Sequence, residues 1–325
     1  MTTISSILAI CACAIYSAYI VPSLLLVCPT ALYRSHHAFI PLAIAALTAP
    51  SAFAATLAVR PTFGCGTREP TAAQIKITEK LAAYEEAAGL NNPSSFMARQ
   101  AVNATINVDV YFHVVAASTA LTDGYLTTKM VADQFKVLQD TFGPEGFTFT
   151  LKGTDWTINK SWADDGAELA MKKALRKGTY RTLNVYFTRT LGGNFGYCYF
   201  PTTVTTGSDD FYLDGCSILY TTVPGGSATN YNLGYTVTHE VGHWFGLYHT
   251  FQGGCTGSGD FVSDTPAQAS STSGCPTGRD SCPSQAGLDP IHNFMDYSYD
   301  TCYTEFTAGQ KTRINTYFTQ YRANK

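Results

Sequence analysis

The sequence predicts an α+β fold in which alternating strands and helices are followed by a region dominated by loops. Strand-like and helix-like segments take turns from residue 106 to about residue 246, an order typical of a sheet covered by helices. Long loops dominate from there to residue 307. A last segment with helical character, Ala308 to Tyr321, is expected to form a C-terminal helix.

Residues 1–54 are predicted to be a hydrophobic leader. The apolar run from Ile4 to Leu32 contains no charged side chain and is long enough to span a membrane, so a membrane anchor is the alternative. A second apolar run, Phe39 to Ala49, follows a basic flank and ends in small residues up to Ala54, as a secretory signal does. We therefore expect export with cleavage after Ala54. Residues 1–37 would then be an upstream extension that translation does not always include.

Residues 55–104 are predicted to form a pro-segment, and residues 105–325 the main domain. In the pro-segment, the stretch from Thr71 to Ala88 is rich in Ala, Lys, Glu and Leu, which favour a helix. The main domain is expected to start with a strand at Ile106–Val115, because apolar and polar residues alternate there. Helices are then expected at Thr127–Phe142, Asp164–Arg176 and about Gly234–Gly246, and strands at Phe147–Leu151, Thr182–Thr188 and Cys216–Tyr220.

The composition is that of one sizeable domain preceded by a leader. The chain has 325 residues, a formal net charge of −3 and 14% charged residues, and this balance gives no sign of a nucleic-acid partner. Aromatic residues make up 13% of the chain, with 20 Tyr and 19 Phe, as suits an extracellular protein. The sequons at Asn103 and Asn159 predict a glycoprotein if the host glycosylates.

The stretch from His239 to His249 has the pattern HExxHxxGxxH and decides the function. His239 and His243 lie four residues apart, so on a helix both rings project from one face and can bind one metal ion. Gly246 permits a positive φ, which lets the chain leave the helix sharply and bring back His249 as a third ligand. Three protein ligands leave one position open, which is typical of a catalytic zinc site, and Glu240 can reach a water there as general base. An amphipathic helix with surface histidines is the alternative.

The stretch Asn293-Phe294-Met295-Asp296-Tyr297-Ser298 resembles the Met-turn of metzincin proteases. Other parts of the tail are similar to the pappalysin-type family, and above all to its secreted fungal members. They are Gly253-Gly254-Cys255, Asp264-Thr265-Pro266, Asp280-Ser281-Cys282-Pro283, Asp289-Pro290-Ile291-His292, Cys302 and Phe306-Thr307-Ala308-Gly309-Gln310. The resemblance covers roughly residues 65–325 and is dense from 235 to 310.

The resemblance implies roles for the matching residues. The three motif histidines would bind one zinc ion per chain, Glu240 would be the general base, Met295 a hydrophobic floor under the metal and Tyr297 an aid to the oxyanion. It also implies a metzincin fold, with a twisted mixed sheet and two main helices above an extended cleft, and a loop-rich lower part with a C-terminal helix. The edge strand of the sheet would pair with an extended substrate. An ordinary core methionine and an ordinary core or rim tyrosine are the alternatives for Met295 and Tyr297.

Six of the ten cysteines lie in the main domain, and three lie in the leader. Sequence alone leaves 15 pairings open for the six. The family resemblance implies the pairs Cys255–Cys282 and Cys275–Cys302, which leaves Cys198–Cys216. No C-x₂-C pair occurs, so a zinc finger is disfavoured.

The remaining cysteine, Cys65, lies in Gly64-Cys65-Gly66-Thr67 ahead of the main domain. Pappalysin-type relatives carry a similar Cys-Gly-Thr in their pro-segments, which implies that a thiolate could take the fourth zinc position and keep a zymogen latent. A structural or intermolecular disulfide is the alternative. Calcium is a further possible cofactor, because Asp260, Asp264 and Thr265 offer oxygen ligands in a region where bacterial relatives hold it.

Together these observations predict a secreted, extracellular zinc endopeptidase made as a zymogen. Its expected partners are protein or peptide substrates, with no nucleic acid and no stable membrane association after processing. A zinc amidase acting on small substrates and a catalytically idle metal-binding module are the alternatives. The intact motif, with Glu240 and all three histidines present, argues against the idle module.

Overall fold

The structure, a computed structural model, describes residues 63–90 and 105–325. The chain divides into two units, Met1–Leu57 and Ala58–Lys325, and every element below belongs to the second. The expected leader and the sequon at Asn103 lie outside the described residues. Within the two described stretches, no helix is long and apolar enough to cross a membrane.

Five strands form one mixed sheet. They are β1 (Ile106–Ala116), β2 (Phe147–Ile158), β3 (Leu183–Thr188), β4 (Gly196–Cys198) and β5 (Cys216–Leu219). Their order is β2-β1-β3-β5-β4, and each neighbouring pair is parallel except β4 and β5, which are antiparallel. As an edge strand, β4 can offer backbone hydrogen-bonding groups to another chain segment.

The described residues contain seven α-helices, one in the predicted pro-segment and six in the main domain. They are α1 (Ala72–Ala87), α2 (Thr128–Phe142), α3 (Lys160–Ala163), α4 (Glu168–Leu175), α5 (Asp209–Leu213), α6 (Tyr235–Trp244) and α7 (Ala308–Tyr321). Single 3-10 turns occur at Leu121–Asp123, Tyr220–Thr222 and Asp300–Cys302. The last helix has the bounds that its sequence predicts, and the pro-segment helix differs by one residue at each end.

The main core lies between the sheet and the helices α2 and α6. Strand β1 supplies Val108, Val110, Phe112 and Val114 at a spacing of two, so one face of the strand covers this core. The two helices meet at Thr141 and Thr238, whose hydroxyl oxygens are 3.1 Å apart. A smaller cluster, which contains Val115, Ala163, Met171 and Tyr186, lies apart from it. A mixed sheet with two main helices is the architecture that the metzincin resemblance implies, and it is confirmed.

One helix prediction was wrong at its start. The helix predicted at 164–176 begins only at Glu168, as α4, because Asp165 and Ala167 adopt positive φ values of 64° and 59° between it and the separate short helix α3. Asp164 therefore follows α3, where its carboxylate pairs with Lys160 and Arg189. Neither β4 nor α5 was predicted, since elements of three and five residues are too short to show a period.

The described residues contain three disulfides: Cys198–Cys216, Cys255–Cys282 and Cys275–Cys302. The first joins the neighbouring strands β4 and β5. The other two span the irregular segment between α6 and α7, and each has a sequence separation of 27. These are the pairs that the family resemblance implies. At the second sequon, the side chain of Asn159 accepts a hydrogen bond from the backbone of Trp162 and caps α3.

Helix α1, in the predicted pro-segment, docks on the C-terminal helix α7. Glu85 on α1 accepts three hydrogen bonds of 2.9–3.1 Å from the guanidinium of Arg313 on α7, and both side chains are buried. The hydroxyl of Thr78 lies 2.7 Å from that of Tyr248 and 2.6 Å from that of Tyr317. Helix α1 is therefore held by a buried ion pair and a buried hydroxyl cluster.

A buried charge cluster ties the C-terminus to α6. The Arg322 guanidinium donates to Asp214 over 2.9 and 3.1 Å and lies 3.6 Å from the ring centroid of Trp244, the last residue of α6. It also donates to the backbone carbonyl of Trp244 over 3.1 and 3.3 Å. Arg322 therefore holds the end of the motif helix although it is three residues from the end of the sequence.

Replacing Arg322 with alanine should destabilise the protein strongly. The change leaves the Asp214 carboxylate buried without its main partner, and breaking a buried ion pair costs about 3–5 kcal/mol. Urea unfolding followed by tryptophan fluorescence measures the free energy of unfolding. Asn324→Ala, at an exposed position two residues later, is the matched control and should change it by no more than about 0.5 kcal/mol. Equal stability of the two variants would contradict the account of this cluster.

Non-reducing peptide mapping should recover Cys255 linked to Cys282 and Cys275 linked to Cys302. A loop of this length gives each bridge a stabilisation of about 3 kcal/mol in the chain-entropy model. The Cys255→Ser/Cys282→Ser double variant should therefore unfold at lower urea concentration than the parent. Any other pairing, or free thiols at these four positions, would show that the assignment of these two disulfides is wrong.

Candidate active site

Helix α6 carries the first two histidines of the motif, and it is buried along nearly its whole length. Its start is fixed by Gly234, with φ +91°, and by Asp300, whose carboxylate accepts from the backbone of Leu233 over 2.7 Å. Its end is fixed by Gly246, with φ +98°, where a Cβ would lie 2.6 Å from the ring of Tyr317. Only glycine fits there, so the chain turns sharply and returns His249 to the helix.

The three histidines meet at their Nε2 atoms. The Nε2 atom of His243 lies 3.2 Å from that of His239 and 3.1 Å from that of His249. The Nδ1 atom of His239 donates to the Phe294 carbonyl, and that of His243 donates to the Leu247 carbonyl, each over 2.7 Å. Because a carbonyl only accepts, the proton of each neutral ring sits on Nδ1 and its Nε2 lone pair points at the other rings.

Burial keeps these rings neutral. It lowers the pKa of His243 to about 4 and the pKa values of His239 and His249 well below their usual range. Neutral imidazoles with converging lone pairs are a ligand set for a cation. Tetrahedral zinc, with zinc–nitrogen distances of about 2.0–2.1 Å, places its nitrogen ligands about 3.3 Å apart. The observed nitrogen–nitrogen distances of 3.1 and 3.2 Å are close to that value.

The segment around Met295 lies directly beneath α6. Met295 is fully buried, and a Cβ on Gly242 would lie 2.4 Å from its sulfur, so the motif helix can approach this closely only with glycine there. The side chain of Asn293 accepts from the Met295 backbone over 3.0 Å and exchanges two hydrogen bonds with the Gln310 amide on α7. The turn is therefore fixed between α6 and α7.

Glu240 is fully buried next to the histidines, and burial raises its pKa to about 8. Its Oε2 atom accepts from the Thr67 hydroxyl over 2.9 Å and lies 3.6 Å from the sulfur of Cys65. Strand β4 passes beside it, since a Cβ on Gly196 would lie 2.7 Å from the Glu240 Cγ. The carboxylate therefore lies between the edge strand and the histidine cluster.

Tyr297 also borders the cluster. Its hydroxyl lies 3.2 Å from the Nε2 atom of His249, and burial raises its pKa above the usual range. The Tyr297 side chain therefore packs against the histidine cluster and also places a hydroxyl donor next to its nitrogens.

The predicted pro-segment crosses this site along β4. The backbone of Gly66 donates to the Gly196 carbonyl over 2.7 Å, and the backbone of Phe195 donates to the Gly64 carbonyl over 2.6 Å. This isolated parallel bridge places the Cys65 sulfur 3.5 Å from the Nε2 atom of His243. The sulfur and one nitrogen from each histidine all lie within 4.8 Å of one another. Burial and the nearby Glu240 carboxylate raise the pKa of the free thiol.

Two residues at this site were missed by sequence reasoning. Thr67 directly follows the Cys-Gly pair, and its hydroxyl marks it as a potential hydrogen-bond donor to the site. Phe63 shows no motif, but it lies two residues before Cys65 and so projects to the same side of an extended chain. Its ring contacts those of His239 and Tyr297, at centroid distances of 5.0 and 4.7 Å.

Two further histidines and the calcium candidate Asp264 make contacts elsewhere. His113 is buried in β1, where it bonds to Asp155 over 2.8 Å and to Asn184 over 3.0 Å. His292 bonds to the carbonyl of Cys302. The two carboxylate oxygens of Asp264 accept from Thr307 and from the Gly309 backbone at the start of α7.

Comparisons with known proteins all identify metallopeptidases as relatives of this chain. Residues 178–319 match the peptidase M43 family model, described as pregnancy-associated plasma protein-A. The chain is 63% identical over 287 residues to an extracellular metalloprotease of Sordaria macrospora, covering 87% of this chain and 97% of that protein. It is also 63% identical over 281 residues to one from Neurospora crassa, covering 86% and 96%.

Two solved structures from Tannerella forsythia share the fold. Mature mirolysin in complex with a cleaved peptide has a TM-score of 0.57 at 27% identity, and covers 68% of this chain and 94% of its own. A promirolysin mutant has a TM-score of 0.60 at 28% identity, and covers 80% and 95%. The histidine geometry and the fold agree with the 63% sequence identity to the two fungal extracellular metalloproteases. The chain therefore belongs to the pappalysin-type M43 peptidase family and is a secreted metalloendopeptidase of that family.

Proposed function

We propose that the protein is a zinc endopeptidase, made as a zymogen, in which Glu240 is the general base. The observation that carries the proposal is the convergence of three neutral histidine rings at their Nε2 atoms beside a buried carboxylate. His239, His243 and His249 would hold the zinc ion. When bound, zinc acidifies a water molecule and polarises the carbonyl of the substrate.

Glu240 is the residue placed to move protons. It does not belong to the set of ligand atoms that converge, and its carboxylate faces the same space. It can take a proton from the attacking water and deliver it to the leaving amine. The Tyr297 hydroxyl, 3.2 Å from a ligand nitrogen of His249, can donate to the oxyanion that develops on the scissile carbonyl.

Strand β4 supplies the binding edge for an extended polypeptide. The pro-segment already uses it, since Gly64 and Gly66 pair with Phe195 and Gly196. An edge that takes a strand-like peptide favours a protein or peptide substrate over a small amide. The proposal does not depend on calcium, which stays a prediction for Asp260, Asp264 and Thr265.

Latency in the proposed zymogen has two parts. The Cys65 sulfur, 3.5 Å from the Nε2 atom of His243, would hold the metal together with the three histidines, and the Thr67 hydroxyl donates to Glu240. A coordinating thiol is deprotonated by zinc, and the Thr67 backbone N–H, 3.3 Å from the sulfur, would stabilise the resulting charge. The pro-segment, placed at residues 55–104, would then block both the metal and the base until it is removed from the catalytic domain, residues 105–325.

Glu240→Ala in the mature enzyme should lower kcat on casein by at least about 10²-fold, the usual contribution of a general base. Bound zinc, measured by atomic emission after dialysis, should stay near one ion per chain, because Glu240 is not a ligand. His243→Ala is the contrasting variant and should lose the metal as well. Turnover of Glu240→Ala near that of the parent would refute the assignment of the base.

The cysteine latch can be tested by spectroscopy in a proenzyme that carries Glu240→Ala to prevent self-processing. Cobalt(II) in the metal site should show a thiolate charge-transfer band in the near ultraviolet, because Cys65 would bind it. The band should disappear on adding Cys65→Ala and persist with Thr71→Ala, which changes only the cap of α1. A band that survives loss of Cys65 would contradict the latch.

The latch also predicts activity in the unprocessed protein. With Glu240 restored, Cys65→Ala proenzyme should hydrolyse a short fluorogenic peptide faster than the parent proenzyme, in the period when mass spectrometry shows the pro-segment intact. If the two are equally inactive, the pro-segment inhibits by steric cover and not through the thiol.

A further inference from the structure

We propose that the face of α7 covered by α1 becomes, in the processed enzyme, a second binding surface for protein substrates, and that this surface takes an acidic helix. The inference rests on the proposed function, because the pro-segment must be cut off before the face is free. It names a class of substrate: proteins in which such a helix accompanies the extended segment that is cleaved.

One stripe of α7 faces α1. Arg313, Tyr317 and Tyr321 follow one another at intervals of four residues, so their side chains project from one side of the helix. The neighbouring residues Ile314 and Phe318 belong to the main core, which α7 covers with its other side. The stripe is therefore free to serve a contact other than the packing of the main domain.

Helix α1 meets this stripe with apolar side chains. Ile77 and Leu81 pack against a cluster of four rings, which are those of Tyr180, Phe211, Tyr317 and Tyr321. Glu85 follows Leu81 by four residues and lies on the same face of α1. Departure of α1 uncovers these rings, and an aromatic patch of this kind on a soluble protein marks a site of interaction.

Arg313 is the polar anchor of the surface. Its guanidinium donates three hydrogen bonds of 2.9–3.1 Å to the carboxylate of Glu85, and both side chains are buried. Among the described residues, Glu85 is the only carboxylate that accepts from Arg313, whose other hydrogen bond goes to the Phe261 carbonyl over 2.6 Å. A guanidinium held in this way fits a second carboxylate and opposes a basic side chain. The occupant of the free surface is therefore acidic.

The surface is continuous with the cleft. The hydroxyl of Tyr248 lies 2.7 Å from that of Thr78 on α1. The ring of Tyr248 lies 5.2 Å from that of Phe200, and the Phe200 ring lies 5.4 Å from that of His243. One ring therefore separates this surface from the histidine cluster, and one polypeptide can occupy both, as the pro-segment does.

Processing makes the surface available. While the pro-segment is part of the chain, α1 faces α7 at a high effective concentration, and this advantage is lost when the connection is cut. Native mass spectrometry of the processed enzyme should therefore show the catalytic domain alone. A mass that still includes the pro-segment, or a dimer that an α1 peptide dissociates, would assign the face to another occupant and overturn the inference.

The first test measures binding to the mature enzyme by fluorescence anisotropy. The probe is a labelled peptide of residues 70–90, which lacks the segment that contacts the histidines. Glu85→Gln in the peptide should weaken binding by about 10- to 100-fold, the usual effect of losing hydrogen bonds between charged groups. Glu86→Gln, at the exposed next position, is the matched control and should bind like the parent peptide. Equal binding of the three peptides, or no binding, would overturn the inference.

A variant of the enzyme locates the contact. In Arg313→Gln, whose folding is checked by urea unfolding, Glu85→Gln in the peptide should cost little further affinity, because the partner is already lost. A photo-reactive group in place of Leu81 gives the location without any change to the enzyme, and should label the segment that contains Tyr317. Labelling elsewhere, or an undiminished effect of Glu85→Gln in the variant, would overturn the inference.

The closing experiment tests the role in catalysis. Residues 70–90 are joined by a flexible linker to a short internally quenched peptide that the mature enzyme cleaves. Compared with the Glu85→Gln form of this fusion substrate, the parent form should have a KM lower by at least about 10-fold and the same kcat, because only the second contact differs. Equal KM values would overturn the inference and leave the proposed endopeptidase intact. Absence of hydrolysis of the short peptide and of casein alike would instead overturn the proposed function, and with it a role of this surface in substrate binding.

Discussion

Three neutral imidazole rings meet at their Nε2 atoms in the interior, and the rest of the structure holds them there. Burial makes protonation of any ring unfavourable, so a cation between them is what satisfies all three. Backbone carbonyls orient His239 and His243, and the glycine turn after α6 returns His249. Gly242 lets the Met295 sulfur approach helix α6, and Arg322 donates to the carbonyl of Trp244, the last residue of that helix. Each of these contacts joins parts of the chain that are distant in sequence.

The pro-segment uses the features that the proposed mechanism assigns to a substrate. It pairs with the edge strand, places a sulfur at the position beside His243, donates to Glu240 and fills an aromatic pocket with Phe63. Its helix is anchored on α7 by the buried pair of Glu85 and Arg313. In the proposed zymogen, anchoring at one end and mimicry at the other would give inhibition that ends when the connection to the main domain is cut.

Local patterns in the sequence were sufficient for the long elements and for the zinc-type motif. Helix α7 is predicted to the residue, because its periodicity and the capping residue Thr307 agree. The edge strand β4 was missed, since three residues carry no alternation, yet Gly196 places it against Glu240. The motif spacing predicted which side chains converge. The contacts of Thr67 and Phe63 span more than a hundred residues, and no local pattern encodes such distances.

Anomalous diffraction from crystals of the Glu240→Ala protein, recorded above and below the zinc absorption edge, tests the central claim most directly. The account predicts one strong difference peak between the Nε2 atoms of His239, His243 and His249, with the rings oriented by the carbonyls of Phe294 and Leu247 as they are here. A peak at any other place, or three histidines that turn apart with no peak between them, would contradict it.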